Sequence, residues 1–263
     1  MSAHSRLIAV FFLGAGILLG PFAAPARETE RSFRIQAGVG AEVFSRSIVW
    51  DERTGSSILK VGLGMIRVGL ELPGGASFAL LAGYGGNNWN GLVFRELPFS
   101  IDYEAGSLGA ILLGTDIDVP LFKPGKWEIG ASGRFLFSFG SSGEWTLTGL
   151  QQIGAFDGRA NGLMIQAGPT LTYRGFETFS PFATLFYDGL SATFTMNENI
   201  DPLVGTEKKK IKGQGAVGAS VGILFEPSPA FRLKAEGFLV PYTKLEGGLK
   251  FNVGASLRTI YLF

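Results

Sequence analysis

Apolar and polar residues alternate along most of the chain from residue 32 onward, which is typical of β-strands that present two different faces. In the clearest stretch, from Trp127 to Phe139, every odd-numbered residue except Gly133 is apolar or aromatic, whereas the even-numbered positions include Glu128 and Arg134. About ten such stretches are separated by clusters of Gly, Pro, Asn and Ser, which favour turns. The pattern predicts an all-β fold of about ten strands, with eight as the alternative, because the stretches near 103 and 181–195 are irregular.

The connections between these stretches are alternately long and short. PGGA at 73–76 and FKPGK at 122–126 are short, whereas GGNNWNGLVFRELPFS at 85–100 and the Gly- and Ser-rich stretch after 139 are long. An antiparallel barrel of the bacterial outer membrane has long loops outside and tight turns at the periplasm, and an even strand number places both chain ends on the periplasmic side. The sequence therefore predicts a closed antiparallel up-and-down transmembrane β-barrel.

Two positions break the regular alternation. The apolar set changes parity between Met65 and Ile66, and Pro169 has no N–H to donate to a neighbouring strand. A β-bulge is the ordinary cause of such irregularities. We therefore expect a bulge at each position.

The polar face has the composition of an enclosed lumen. A soluble barrel, such as a lipocalin, shows the same alternation, but its polar face meets water and favours long charged side chains. Here that face is mostly Gly, Ser and Thr, with occasional charges of both signs that must pair, because an unpaired internal charge is costly. The residues expected to line the lumen are Arg34, Glu42, Lys60, Arg67, Glu71, Glu128, Arg134, Arg232, Lys234, Glu236 and Arg258.

Aromatic residues recur at the strand ends that adjoin the short turns. In outer-membrane barrels, aromatic side chains form belts at the two membrane interfaces. We expect one belt, at the periplasmic interface, from Phe33, Phe78, Trp127, Tyr173, Phe182, Phe225, Phe231 and Tyr261.

Residues 1–26 have the composition of a secretory signal peptide. A basic lead is followed by the apolar stretch LIAVFFLGAGILL at 7–19 and by Ala24, Pro25 and Ala26. We expect cleavage after Ala26 and a barrel domain over residues 27–263. A membrane anchor is the alternative, although a spanning helix needs about 20 apolar residues.

Charge and cysteine content narrow the class of protein further. The chain has 23 basic and 22 acidic residues, and loss of Arg6 with the signal peptide would leave 22 of each. Such a balance argues against nucleic-acid binding. Because the sequence has no cysteine, disulfides, thiolate metal sites and a lipid-modified N-terminal cysteine are excluded.

The last residues, FNVGASLRTIYLF at 251–263, alternate to the end and finish on an aromatic residue. Chain ends are normally frayed, so we expect Phe263 to end a strand that pairs with the first strand. In its architecture and in the ending LRTIYLF, the chain resembles the small outer-membrane β-barrel proteins of Gram-negative bacteria, broadly the OmpA-like and opacity-type group. The resemblance implies an outer-membrane location, with Tyr261 and Phe263 as the terminal signal for the barrel assembly machinery. It assigns no activity, because this fold has many functions.

Few residues suit catalysis. Enzymes among outer-membrane barrels use a histidine as a base, and the only histidine, His4, lies in the predicted signal peptide. Asp116 and Asp118 share one face of a strand and could share a proton or bind a divalent cation. Pairing with arginines is the stronger interpretation, and no cofactor or metal site is predicted.

Two features of the long loops suit binding. Lys208, Lys209 and Lys210 could meet the phosphates of lipopolysaccharide, although lysine runs in loops are more often merely solvated. Trp50, Trp89 and Trp145 could mark a ligand surface, and the alternative is that two of them extend an upper aromatic belt. The expected partners are therefore membrane lipid, lipopolysaccharide, the assembly machinery and an unidentified extracellular ligand.

These observations favour a non-enzymatic outer-membrane barrel with a structural or surface-interaction role through its extracellular loops. The first alternative is a narrow channel for small solutes, with a path between Arg34, Glu42, Arg134 and Arg258. Barrels of eight to ten strands are usually filled by side chains, which argues against such a path. The second alternative is an outer-membrane enzyme that works without a histidine.

Overall fold

The computed structural model describes residues 33–50, 55–104, 106–146, 154–200, 202–243 and 247–263, which belong to one compact unit. The predicted signal peptide lies outside the described residues. Within these ranges there is no helix that is long and apolar enough to cross a membrane.

The chain forms fourteen β-strands, and all their pairings are antiparallel. Counted over the described residues, they are β1 (Arg34–Trp50), β2 (Gly55–Glu71), β3 (Ser77–Asn88), β4 (Leu92–Phe94), β5 (Ile101–Tyr103), β6 (Ser107–Phe122), β7 (Trp127–Gly140), β8 (Gly143–Thr146), β9 (Gly154–Tyr173), β10 (Phe179–Ile200), β11 (Leu203–Gly213), β12 (Val217–Ser228), β13 (Phe231–Thr243) and β14 (Leu249–Leu262).

Ten of these strands form a ring in which each strand pairs with two neighbours. The order round the ring is β1, β2, β3, β6, β7, β9, β10, β12, β13 and β14, and β14 pairs with β1. Following the pairings from Ala41 in the two directions reaches β10 at Thr193 and at Pro181, twelve residues apart. Such a stagger tilts the strands of a barrel relative to its axis.

The predicted fold class, an antiparallel up-and-down barrel, is confirmed. The strand number differs from the prediction, since the part of the chain that the structure describes has fourteen strands rather than about ten. The difference comes from four shorter strands, β4, β5, β8 and β11, in the segments that were expected to be long loops. Segments whose sequence has no regular alternation can therefore still form hydrogen-bonded strands.

The two ends of the ring are built differently. We call one the turn end, where the short connections 72–76, 123–126, 174–178 and 229–230 lie, and the other the loop end. Gly74 and Gly75, with φ of 102° and 91°, form a turn there that residues with a Cβ rarely adopt. Ile35 and Phe263 exchange two backbone hydrogen bonds at the turn end, of 3.2 and 3.0 Å. The last strand therefore pairs with the first, as expected.

At the loop end a different set of strands closes the ring. After a tight connection, β11 folds back along the upper half of β10 and then pairs with β1, through Ile48 with Gly213 and Val49 with Lys212. At this level β11 takes the place of β12, β13 and β14. The wall at the loop end is therefore made of different strands from the wall at the turn end.

The outward face of the ring is apolar. The side chains that point away from the lumen are largely exposed, as in Val68 (55 % exposed), Leu80 (59 %) and Val221 (68 %). A continuous exposed apolar band round a closed sheet is the arrangement of a membrane-spanning barrel. Further members of this band are Ile35, Val43, Ile66, Leu70, Phe78, Ile111, Leu113, Ile117, Phe135, Phe137, Ile165, Leu171, Leu185, Tyr187, Ile223, Leu239 and Val253.

Neither predicted bulge is present. The registers of β2 with β1 and with β3 continue unbroken past Met65, and Pro169 lies opposite Ala131 in an unshifted ladder. The apolar residues change parity in β2 for a different reason: Leu63 and Met65 point inward, into a part of the lumen that is itself apolar. The shifts that do occur are near 120–122 and 225–228.

The aromatic belt at the turn end lacks one predicted member. Pairs such as Trp127 with Tyr173 and Phe231 with Tyr261 have ring centroids 4.9 and 5.0 Å apart. Phe182, in contrast, is buried and points into the lumen, where the ammonium of Lys234 lies 4.6 Å from its ring centroid. The prediction for Phe182 was wrong, because the irregular alternation of β10 concealed which of its residues point inward.

Candidate functional site

The middle of the lumen holds a cluster of buried ion pairs, which we call the charge cluster. Arg134 donates to Asp116 from Nε at 2.8 Å and to Glu42 from Nη1 at 2.6 Å. Arg258 donates to the second oxygen of Asp116 at 3.3 Å, and an Arg67 nitrogen lies 4.0 Å from that oxygen. Residues from β1, β2, β6, β7 and β14 thus meet across the interior. Buried charges are tolerated when paired in this way.

A small polar cavity lies beside the charge cluster. Its volume is about 60 Å³, and Asp118, Lys234, Glu236 and Gln166 contribute to its wall. It has room for a few water molecules but not for a metabolite, because sites for small organic ligands are usually several times larger. Asp116 and Asp118 both line the cavity. Both oxygens of Asp116 accept hydrogen bonds, one from Arg134 and one from Arg258. A catalytic carboxylate pair would need these oxygens for its substrate.

A second group of ion pairs, the rim chain, follows the turn end. Glu226 is its centre and accepts from Arg232 and from Arg174, each at 2.7 Å. At one end Lys123 lies 3.0 Å from Glu128, and at the other Glu71 pairs with both Arg232 and Arg34. The order of the chain is Arg34, Glu71, Arg232, Glu226, Arg174, Glu128 and Lys123.

Ten of the eleven residues that were expected to line the lumen lie in these two groups or at the cavity. Lys60 is the exception: its side chain is exposed on the outward face of β2, with the same parity as Ile58 and Ile66. The expectation for Lys60 rested on the bulge at Met65, and without a bulge Lys60 belongs to the outward set.

Above the charge cluster, towards the loop end, the lumen is apolar. Six inward-facing side chains from β2, β3, β6, β7 and β9 pack into a layer with exposures of 8 % or less. They are Leu63, Met65, Leu81, Leu112, Leu136 and Met164. This apolar layer separates the charge cluster from the loop end.

The mouth at the loop end is filled by a larger hydrophobic core, which we call the plug. The hairpin of β4 and β5 places Phe94 and Tyr103 against Phe194 of β10, with ring centroids 5.4 and 5.1 Å apart. Trp50 and Trp89 belong to the same core and are 4 % and 3 % exposed. These tryptophans, and the half-buried Trp145 that packs against the core, are therefore not an exposed ligand surface.

Two buried carboxylates hold the tip of this hairpin. Glu207 of β11 accepts a hydrogen bond from the Glu96 N–H at 2.7 Å, and Glu198 of β10 accepts one from the Phe99 N–H at 3.2 Å. Lys209 points inward and lies 2.5 Å from the other oxygen of Glu207. Parity could have revealed Glu207 and Lys209, because they alternate with the outward lysines and precede the buried Ile211.

The phenol of Tyr103 gives the plug a measurable pH response. Burial disfavours the phenolate and raises the pKa of Tyr103 from 10 to about 12. The stability that this tyrosine contributes is therefore fully present below about pH 10 and is lost as the pH rises through about 12. In an ultraviolet titration of phenolate absorbance, we expect Tyr103→Phe to remove the tyrosine that ionises last. If Tyr103→Phe instead removed a tyrosine that ionises near pH 10, the result would contradict the burial of Tyr103.

A group of buried polar contacts, which we call the junction, joins β1, β10 and β14 where β11 leaves the ring. Arg46 of β1 pairs with Asp188 of β10, and both side chains are buried. Arg46 also donates to the Gly215 carbonyl at 2.7 Å, and Asn252 donates to the Gln214 carbonyl at 2.9 Å. These bonds hold the segment that leads from β11 into β12 against β1 and β14.

The described residues contain no group of three or more His, Cys, Asp or Glu side chains placed to hold a metal ion. Neither the family models nor the curated proteins include a match to the sequence. Solved structures of outer-membrane proteins do resemble it. The outer-membrane protease OmpT of Escherichia coli has 14 % identity over 90 % of this chain and 99 % of its own, with a TM-score of 0.46.

Two other solved structures show the same range of similarity. The translocator domain of the autotransporter NalP from Neisseria meningitidis has 13 % identity over 98 % of this chain and 95 % of its own, with a TM-score of 0.46. A major outer-membrane protein of Thermus thermophilus has 17 % identity over 88 % of this chain and all of its own, with a TM-score of 0.38. At these values the similarities assign no activity.

Proposed function

We propose that this chain is an outer-membrane barrel that is closed to solutes and serves a structural or surface-interaction role through its loop end. The observation that carries the proposal is the blocked interior. The charge cluster, the apolar layer and the plug follow one another along the lumen, and each is made of buried side chains in contact. A small barrel whose interior is filled by side chains leaves no aqueous channel, which leaves its loop end as the part that can meet other molecules.

The outer face supports the membrane location. The exposed apolar band and the aromatic residues at the turn end match the outer surface of a bacterial outer-membrane barrel. In this placement the turn end faces the periplasm, and the signal peptide over 1–26 directs export. Tyr261 in β14 and Phe263 directly after it form the signal that the assembly machinery recognises. Phe263 is 72 % exposed, so its ring is free to be recognised.

The loop end offers a surface for an extracellular ligand. Val204 is 73 % exposed, and Phe99 and Leu203 are about half exposed, at the tips of the β10–β11 and β4–β5 hairpins. Pro98 lies close to Gly205, so these two tips adjoin. Exposed apolar residues held by a rigid base suit protein contacts.

Neither alternative function gains a specific observation. A channel needs a continuous path, and Arg34, Glu42, Arg134 and Arg258 are all engaged in ion pairs. An enzyme needs a reactive group beside space for a substrate, and the cavity beside Asp116 and Asp118 is only about 60 Å³. We therefore propose a non-enzymatic, non-conducting protein.

Conductance tests this proposal directly. We expect the purified protein, inserted into a planar bilayer, to show no steady current for small ions, because buried side chains among the described residues fill the lumen at the plug and at the charge cluster. Insertion is verified separately, by the slower or faster migration of unheated protein on a detergent gel and by protection from protease in vesicles. A stable, reproducible conductance of correctly inserted protein would overturn the closed-barrel proposal.

A further inference from the structure

Four cations lie on the outward face of the wall at the loop end, without carboxylates between them. Lys208, Lys210 and Lys212 are exposed on alternate residues of β11, so they point the same way at intervals of about 7 Å. Arg159 of β9 is exposed on the same outer surface, two strands away. We call these four residues the cationic patch.

The sequence prediction for this region was partly wrong. The sequence predicts that Lys208, Lys209 and Lys210 act together, but Lys209 points inward to Glu207, whereas Lys212 is exposed with the outward set. Strand parity thus divides the run into an internal tether and an external row. The external row lies on the wall of the barrel and not in an irregular loop.

The register defines the residues of the patch, and Asp157, two residues before Arg159 on the same face of β9 and opposite Glu144 of β8, borders it towards the loop end. Lys208 lies opposite Thr195 and then Arg159, and Lys210 lies opposite Thr193 and then Asn161. Lys212 lies opposite Ser191 and then Leu163. These nine positions therefore hold four cations, four neutral polar residues and one leucine. Among the described residues no acidic side chain forms a salt bridge with Lys208, Lys210 or Lys212.

The patch begins where the apolar band ends. Along β9 the outward residues run from Ile165 and Leu163 to Asn161 and Arg159, and along β10 they run from Leu185 and Tyr187 to Ser191 and Thr193. The wall is thus apolar below and cationic directly above. A molecule that fits both parts has phosphate groups at one end and hydrocarbon chains at the other.

From this geometry we infer that the cationic patch binds the phosphate groups of a phosphorylated glycolipid in the outer leaflet, of the lipopolysaccharide class. Its acyl chains lie along the apolar wall beneath, against Ile165, Leu185 and Tyr187. The patch is on the loop-end side of the band, which faces the outer leaflet in the proposed orientation. The inference therefore rests on the proposed outer-membrane location and adds a specific lipid partner to it.

The lipid source is favoured over a soluble polyanion because of position. The lysines point sideways from the wall and not along the barrel axis into the solvent, and Lys212 is level with the lipid-facing Leu163. Each basic residue near an anionic headgroup adds to binding, and the sum is weakened by salt. Arg159 leaves part of its guanidinium available, since its Nε donates to the Gly140 carbonyl at 3.0 Å.

The test compares lipopolysaccharide binding by the full-length mature protein, in nanodiscs of zwitterionic lipid, with that of three variants. In the first, Lys208, Lys210 and Lys212 become Gln, and in the second they become Arg. The charge-matched control changes the exposed residues Lys60, Lys126 and Lys250 to Gln. Native mass spectrometry counts the bound glycolipid, and gel mobility verifies folding of each variant.

We expect the Gln variant to lose about tenfold in affinity, while the Arg variant and the Lys60, Lys126 and Lys250 control stay within about twofold of the unaltered protein. Dephosphorylated lipopolysaccharide should bind as weakly to the unaltered protein as the intact glycolipid binds to the Gln variant. Inorganic phosphate at millimolar concentration should not displace the glycolipid, since it lacks acyl chains.

Equal loss in the Gln variant and the charge-matched control would overturn the inference, because binding would then follow net charge alone. Displacement by inorganic phosphate would also overturn it, because the site would then belong to a soluble anion. If the folded protein inserts and does not conduct but all variants bind alike, the lipid site fails and the closed-barrel proposal stands. Failure of folded protein to insert would instead refute the proposed membrane location.

Discussion

Replacing Arg134 with methionine is expected to destabilise the folded barrel by about 3–5 kcal/mol, the usual cost of leaving buried charges unpaired. Arg134 is the residue that holds Asp116 and Glu42 together, through hydrogen bonds of 2.8 and 2.6 Å. Methionine preserves most of the volume, so the loss reports on charge and not on packing. Unfolding in urea, followed by tryptophan fluorescence in detergent or lipid vesicles, measures the change.

The matched control for this prediction is Arg174→Met in the rim chain. Arg174 also bridges two carboxylates, Glu128 and Glu226, but its side chain is 36 % exposed. Water can solvate the carboxylates that it leaves, so we expect a loss of about 1 kcal/mol or less. Adding Glu42→Gln and Asp116→Asn to Arg134→Met should restore part of the stability, because the uncovered charges are then removed. Equal losses for Arg134→Met and Arg174→Met would contradict a buried charge cluster.

The alternation of the sequence was enough to predict the outward face, because every outward position meets the same environment. Residues such as Val68, Leu80 and Val221 need only be apolar wherever they lie along the strand. Inward positions meet different neighbours at each level. Leu63 and Arg67 share one side of β2, yet one packs in the apolar layer and the other approaches Asp116.

This difference explains the errors at Lys60 and Phe182. The polarity of Lys60 predicts the lumen, and the aromatic ring of Phe182 beside a short turn predicts the membrane interface, whereas the register of each strand sets the direction of the side chain. An inward segment that is apolar resembles an outward segment, and local periodicity cannot distinguish them. A bulge at Met65 would make the lumen uniformly polar, but the strand has no bulge and the lumen is apolar at the level of Leu63 and Met65.

The plug and the junction depend on contacts between distant parts of the chain. Glu198 meets Phe99 across 99 residues, and Arg46 meets Asp188 across 142. Neither pair has a local pattern, since a single buried glutamate among outward Asn and Thr residues looks like part of a polar loop. Such pairs become visible only once β11 is seen to fold back and replace β12, β13 and β14 in the wall.

Replacing Phe194 with alanine is expected to loosen the plug. Phe194 is fully buried and has three aromatic neighbours, Trp89, Phe94 and Tyr103, at centroid distances of 6.1, 5.4 and 5.1 Å. Removal of a buried phenyl ring costs about 3–5 kcal/mol, because the lost contacts leave a cavity that neighbours fill only partly. Much of this cost falls on the β4–β5 hairpin, which lies against the ring on one side.

Trypsin provides the measurement, because Arg95 lies in the hairpin and is exposed, next to the Glu96 N–H that Glu207 holds. A protease must draw several residues of backbone into its active site, so the rate of cleavage after Arg95 follows local opening of the hairpin. We expect Phe194→Ala to raise this rate at least tenfold, and Glu207→Gln, which weakens one tether, to raise it less. Cleavage is located by mass spectrometry of the fragments.

Phe137→Ala is the matched control, because Phe137 lies on the outward face and is 40 % exposed. Its removal leaves no internal cavity and costs about 1–2 kcal/mol from lost contact with lipid. The rate of cleavage after Arg95 should then stay close to that of the unaltered protein, since the plug is untouched. If Phe194→Ala and Phe137→Ala changed the rate equally, the hairpin would open only with the whole barrel, and the plug would not be a separately stabilised unit.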